Sequence, residues 1–272
     1  MCGISGIINL NKRPIDNLEA KIKLMTKILY EHPLNERIRN YLKLEHLFTQ
    51  AEDCLQRKIS VSHQVFFNAL FAIIDTLERN DVRGDLIKDL EKLEQNLVIW
   101  SQAPEIDNTI LSENLQQTVG LICQLKCNTP LWAQLKSDKF LATLKQRFAI
   151  QGGSSSFDLP QLQFWLHQDS EILAKDVQGW LALLEQIKSS LDIVLKFIRQ
   201  RVGFKRIETE SGFYQDNGEG ILLLRIKVEQ KSPYYPTVSG NRFRYSIRFM
   251  SPCHSTGRKY SNKATSFELA RC

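Results

Sequence analysis

Several residue patterns that would mark a specialised protein class are scarce or missing. Of 272 residues only 13 are glycine and 8 are proline, which excludes a collagen-like repeat and a flexible linker protein. Six cysteines spread over the chain are too few for a disulfide scaffold, so a reduced, cytoplasmic protein is expected. Long apolar runs are also missing. The longest central stretch without Asp, Glu, Lys or Arg runs from Ile59 to Ile74. It contains Ser, His, Gln and Asn, and it falls short of the roughly 20 apolar residues that span a bilayer. No direct membrane insertion is expected. No charged start leads into an apolar segment with a small-residue cleavage site, so secretion is not expected either.

The remaining composition is that of a globular protein, with 43% hydrophobic and 24% charged residues. The formal net charge of +6 is unevenly placed. Residues 1–200 carry 23 basic and 24 acidic side chains, whereas residues 201–272 carry 13 and 6. The excess is interleaved with apolar residues, unlike a polybasic tail. It predicts a local cationic surface and an anionic partner.

Helical periodicity dominates the first three quarters. A short apolar segment, Met1 to Leu10, precedes a turn at Pro14 and a helix from about Asn17. Glu31 to Glu36 reads as a break, with Asn35 as N-cap of the next helix. Ile38, Tyr41, Leu44, Phe48, Ala51 and Leu55 recur at helical spacing. Further helices are predicted over 62–77, 86–100, 109–125, 131–149 and 171–200, with a short one starting at Pro160. From Gly203 the period becomes two. In Ile221 to Val228 the side chains of Leu222, Leu224, Ile226 and Val228 oppose Arg225 and Lys227. In Arg242 to Phe249, Phe243, Tyr245, Ile247 and Phe249 oppose Arg242, Arg244, Ser246 and Arg248. Asp216-Asn217-Gly218 is a turn signal, and Thr265 to Ala270 reads as a last strand. The expected fold is α+β: an N-terminal all-helical domain, residues 29–202, followed by a smaller antiparallel β domain, residues 203–272. Its sheet should lay an apolar face on the helices and turn an arginine-rich face outward.

Chemical motifs are weak. Met1-Cys2-Gly3-Ile4-Ser5-Gly6-Ile7 resembles the start of N-terminal-nucleophile glutamine amidotransferases, in which the exposed cysteine thiol attacks the glutamine amide. The resemblance stops at about residue 28, and the substrate-binding His-Arg-Gly-Pro-Asp segment of that family is replaced by Tyr30-Glu31-His32-Pro33. Residues 1–28 are therefore read as a non-catalytic appendage. Cys123 and Cys127 could share a helix face but lack a second ligand pair, and Cys253, His254 and Cys272 complete no set. His46, His63 and His167 are scattered. Gly152-Gly153-Ser154-Ser155-Ser156 lacks the Gly-Lys-Ser/Thr ending of a phosphate loop and reads as a turn. No metal, cofactor or catalytic residue is expected.

From residue 29 onward the chain resembles the ZapD family of FtsZ-associated cell-division proteins. The matching segments, in family order, are Glu31-His32-Pro33-Leu34-Asn35-Glu36, Gly152-Gly153 with Ser156-Phe157-Asp158-Leu159-Pro160, Trp165-Leu166-His167, Gly212-Phe213-Tyr214-Gln215-Asp216-Asn217-Gly218, and Ile247-Arg248-Phe249-Met250. The resemblance implies a non-enzymatic homodimer that binds the C-terminal tail of FtsZ through a basic pocket. It implies crosslinking and bundling of FtsZ protofilaments, and recruitment from the cytoplasm to the mid-cell division site to promote Z-ring assembly. Positions matching basic family positions are Arg39, Arg79, Arg83, Arg199, Arg244 and Arg248. Lys43 and Lys139 stand where the family can have arginine, and lysine lacks the bidentate fork to a carboxylate. The expected site is a cationic groove between helices and sheet. On this reading no nucleic acid is expected. The alternatives are a nucleic-acid-binding protein using the basic sheet face, or a glutamine amidotransferase acting through Cys2.

Overall fold

The computed structural model describes residues 27–101, 108–126 and 129–272. The expectations for Met1 to Leu10, for the helix from Asn17, for Cys2 and for Cys127 lie outside the described residues. The chain forms two compact units, one of residues 33–202 and one combining residues 27–32 with 203–271.

The first unit is helical. Its elements are α1 (Glu36–Gln56), α2 (Ile59–Arg79), α3 (Val82–Ser101), α4 (Asn108–Lys126), a 3-10 turn (Leu131–Ala133), α5 (Gln134–Ser137), α6 (Lys139–Phe148), α7 (Pro160–Leu166), α8 (Ser170–Ala182) and α9 (Glu185–Gln200). Asn35 caps α1 as its sequence position predicts: its side-chain oxygen accepts from the Ile38 N–H at 2.8 Å. Helix α2 is long and apolar enough to cross a membrane by length and composition alone. It is nevertheless two-faced. Phe66, Phe67, Leu70, Ile73, Ile74 and Leu77 are buried, whereas Val61 is 82% exposed, the pattern of a core helix.

Two predicted helices are divided. Within 131–149, Asp138 ends α5 and caps α6 by accepting from the Phe140 and Leu141 N–H groups at 2.9 and 3.0 Å. Within 171–200, the Leu184 N–H bonds to the Leu181 carbonyl at 2.9 Å and tightens the turn. Leu184 is fully buried there, so tertiary packing breaks a helical pattern whose one glycine, Gly179, lies inside the helix before the break. The centre of the unit is aromatic. Phe67 lies 5.6 Å from Trp165, 5.8 Å from Trp180 and 5.9 Å from Phe71, ring centre to ring centre. Two buried indoles there keep partners: Trp165 donates to Asp176 at 2.8 Å and Trp180 donates to Asp138 at 3.1 Å.

The second unit contains β1 (Lys27–Pro33), β2 (Lys205–Thr209), β3 (Phe213–Asn217), β4 (Leu223–Glu229), β5 (Tyr235–Gly240), β6 (Arg244–Cys253), β7 (Gly257–Tyr260) and β8 (Thr265–Arg271). No alternation in residues 27–33 announces β1. The strands form two sheets rather than one, with orders β1-β4-β8-β2 and β3-β6-β5, and β7 pairs with β6. The expected apolar face is therefore covered by the other sheet. Phe267 on β8 stands 5.0 Å from Phe249 on β6 and 5.9 Å from Tyr214 on β3. Tyr245, Ile247 and Phe249 are buried as their alternation predicts. Phe243, expected on the same face, lies before the strand begins and is 62% exposed. The Asn241 side chain there accepts from the Phe243 N–H at 2.9 Å and turns the chain.

The cations also divide between the sheets. Arg225 on β4 donates to Glu31 on β1 at 2.8 Å, and the Lys227 ammonium sits 3.8 Å above the Phe204 ring. They belong to the first sheet, Arg244 and Arg248 to the second.

Candidate functional site

Strand β6 presents the clearest chemical surface. Register fixes which residues share its outer face. Phe213 on β3 and Thr237 on β5 stand opposite Arg248, and Tyr260 on β7 stands opposite Met250. Directly paired residues of antiparallel strands project to the same side. The Arg248 guanidinium accordingly lies 4.8 Å from the Phe213 ring centre and 5.4 Å from that of Tyr260. Such contacts contribute about 0.5–1 kcal/mol each at exposed sites. They also hold the planar fork flat without consuming its hydrogen bonds. Arg244 donates to the Gln215 side-chain oxygen at 2.5 Å. Arg242, in the preceding turn, stacks over Phe243 at 4.6 Å.

Gly212 makes the Phe213 position attainable. Its φ is +61°, and a Cβ there would stand 2.4 Å from the Ser261 carbonyl oxygen. The chain leaving β7 can pass close to the start of β3 only because that atom is missing.

No carboxylate occupies the outer face among the described residues. Asp216 on β3 points to the other side, where it accepts from the Tyr214 hydroxyl at 2.8 Å and from Arg271 at 2.5 Å. The Tyr214 hydroxyl, then the Asn217 N–H and Arg271, hold its carboxyl below the usual aspartate range against the opposing effect of burial. Arg244 and Arg248 are both exposed, and neither meets a carboxylate among the described residues.

The other implied cations lie on the helical unit. Arg39 and Lys43 are exposed one turn apart on α1. Arg39 contacts Glu36 at 3.2 Å; the Lys43 ammonium meets no carboxylate among the described residues. Arg79 ends α2, where the helix dipole favours a cation. Since α1 and α2 form a hairpin joined by Arg57 and Lys58, Arg39 and Arg79 share its open end. Lys139 is exposed at the start of α6. Arg83 and Arg199 are tied within the unit. Arg83 donates from Nε to the Leu125 carbonyl near the end of α4 at 2.6 Å. Arg199 makes a two-pronged, half-buried bond to Glu45 at 2.5 and 2.7 Å.

The other candidates stand apart from this face. A groove of about 330 Å³ between α2, α5 and α6 has Phe71, Ile74, Leu135 and Leu141 in its lining. Its lysines are neutralised, because Lys136 and Lys145 approach Glu78 at 2.9 and 3.5 Å. Lys136 first, with Lys145, holds the Glu78 carboxyl below its usual range. Ring nitrogens of His63 and His167 contact the carbonyls of Ser60 and Gln163 in their own helices. The Cys253 thiol is lowered to about 6 by the Ser255 and Thr256 hydroxyls and N–H groups. Among the described residues no cluster of three or more His, Cys, Asp or Glu could hold a metal.

Phe213 and Tyr260 are the members that site reasoning from sequence misses. Phe213 lies within a recognisable segment, but nothing local indicates that it or Tyr260 meets Arg248.

Comparison with known proteins places this chain. The family model ZapD, described as a cell division protein, matches residues 42–248. The Cell division protein ZapD of Pectobacterium carotovorum is 38% identical over 245 residues, covering 90% of this chain and 97% of the relative. That of Idiomarina loihiensis is 38% identical over 90% of this chain and 96% of its own length. The Cronobacter sakazakii protein is 35% identical over 92% of this chain and its entire length. With a helical unit, a two-sheet β unit and these alignments along most of its length, the chain belongs to the ZapD family of cell division proteins.

Proposed function

We propose that this protein acts without catalysis, as a cytoplasmic dimer recruited to the division site, where it binds the C-terminal tail of FtsZ and crosslinks protofilaments. The observation that carries the reading is the outer face of β6, where Arg244 and Arg248 stand exposed with no carboxylate beside them among the described residues. Such a face attracts an acidic peptide, and a flat guanidinium receives a carboxylate on two donors. Arg39, Lys43, Arg79 and Lys139 add an anion-attracting surface on the helical unit. Arg199 contributes by bracing α1, which carries Arg39 and Lys43, against α9, while Arg83 ties α3 to α4.

A short disordered tail loses entropy on docking, so a single site binds at about micromolar affinity. Two sites on one dimer then act on a filament that displays many tails, and avidity replaces tight single-site binding. Screening by salt weakens the charge pairing and with it bundling.

Co-sedimentation with FtsZ tests this. The protein should pellet with full-length FtsZ but not with FtsZ lacking its tail. Arg244→Glu combined with Arg248→Glu should abolish pelleting while the circular dichroism spectrum stays unchanged. Equal pelleting of tailless filaments would refute the proposed partner segment, and undiminished pelleting of the double variant would refute the site.

A further inference from the structure

One face of the helical unit lacks charge. From Ile59 to Ile74, α2 has no Asp, Glu, Lys or Arg, and residues 149–168 have only Asp158. That carboxylate is occupied: it accepts from the Ser155 hydroxyl at 3.0 Å and lies 3.9 Å from Arg147. Two contacts set the segments side by side. The Gln64 amide donates to the Ser154 hydroxyl at 3.4 Å, and the buried Trp165 ring packs 5.6 Å from Phe67. Gln64 adjoins Val65 and lies one turn from Val61, so the chain at Ser154 borders the outer stripe of α2. Apolar side chains stand out from both segments. Phe157 is 84% exposed, Val61 82% and Phe164 72%, and Ile150 and Val65 are exposed as well. Helix α7 buries Leu162 and Trp165 yet turns Phe164 outward. These five side chains offer on the order of 600 Å² of largely apolar surface, at the top of what a free monomer leaves bare.

We infer that this face is where two copies of the chain meet, around a twofold axis. The inference rests on the dimer proposed above and names its surface. A twofold interface sets a patch against itself, so a charge near its axis would meet its own like. An uncharged face avoids that repulsion. An acidic peptide or an anionic bilayer would call for cations among the apolar residues, and this face has none within it. A stable interface takes about 800 Å² from each partner, with an apolar, aromatic core and a polar rim. Gln64 and Asn68 extend the patch without charge, and Arg57 and Lys58 border it at the closed end of the α1–α2 hairpin. Val61 stands near that closed end and Arg79 at the open end, about 27 Å along α2. Pairing through Val61 and Phe157 therefore leaves the cations at the open end of each copy uncovered.

Sedimentation velocity of the full chain at micromolar concentrations tests this. The parent chain should sediment as a dimer. Val61→Glu with Phe157→Glu should raise the dimer dissociation constant about a hundredfold or more, because like charges then face each other. Both positions are exposed, so the circular dichroism spectrum should stay unchanged. Phe157→Leu should keep the dimer. So should Ile99→Glu, which puts a charge at an exposed apolar position of α3 outside this face. A monomeric parent would overturn the dimer and this face with it. A parent dimer with an equally dimeric double glutamate variant would overturn the face alone, as would equal dissociation by Ile99→Glu. Flotation of the parent with phosphatidylglycerol–phosphatidylethanolamine vesicles, lost in the double variant, would assign the face to a bilayer and overturn it too.

Discussion

Arg199 poses the sharpest question, because the family resemblance points it toward a partner and the structure gives it one inside the molecule. Its two bonds to Glu45 at 2.5 and 2.7 Å tie α9 to α1. The side chains are 23% and 30% exposed, neither buried nor free. Hydrogen bonds to charged groups contribute about 1.5–3 kcal/mol, and fully exposed ion pairs about 0–1 kcal/mol. An intermediate environment gives a coupling of roughly 1.5 kcal/mol by these scales. For a unit of this size a loss of that order lowers the melting temperature by about 3–6 °C. The assay is a double-mutant cycle in urea with Arg199→Ala, Glu45→Ala and the pair. Each single variant should be destabilised, and the pair should lose less than the sum. At temperatures where Arg199→Ala stays folded, FtsZ should still pellet with it. Additive losses with coupling under about 0.3 kcal/mol, or lost pelleting by a fully folded variant, would refute the bracing role.

Gly212→Ala should destabilise the β unit by roughly 1–3 kcal/mol, since it forces an L-residue into positive φ against a carbonyl; urea unfolding followed through the tyrosines reads the loss. Asp138→Ala removes both the cap of α6 and the acceptor of the Trp180 indole. It should cost about 2 kcal/mol and change the near-ultraviolet dichroism of tryptophan. Acid should weaken the fold through Glu78 and Asp216, whose carboxyls are held below their ordinary values in the native state. Their contribution is present above the unfolded carboxylate range near pH 4 and is lost as pH falls through the depressed native values. Asp89 opposes them, because burial raises its carboxyl. Unfolding midpoints between pH 6 and 3 should therefore decline less steeply in Glu78→Gln and Asp216→Asn than in the parent chain.

Local pattern was enough for the elements whose geometry is local. The 3.6-residue period of Ile38, Tyr41, Leu44 and Phe48 marks the buried stripe of α1, and Asn35 marks where it begins. The period of two marks which side of β6 is buried and which is cationic. The ordered segments along the chain were enough to indicate the family. Other features arise only when distant pieces meet. The break at Leu184, the second sheet that covers the first, and the strand at Lys27–Pro33 depend on neighbours far along the chain, whereas the break at Asp138 is a local cap that the helical period of 131–149 masks. So does the Glu45 partner of Arg199, 154 positions away. The rings of Phe213 and Tyr260 reach Arg248 because two separate strands line up end to end along β6. The backbone's own repeat decides which side of an element a residue faces. What covers or stacks on that side is decided by packing of the whole chain, and no local spacing encodes it.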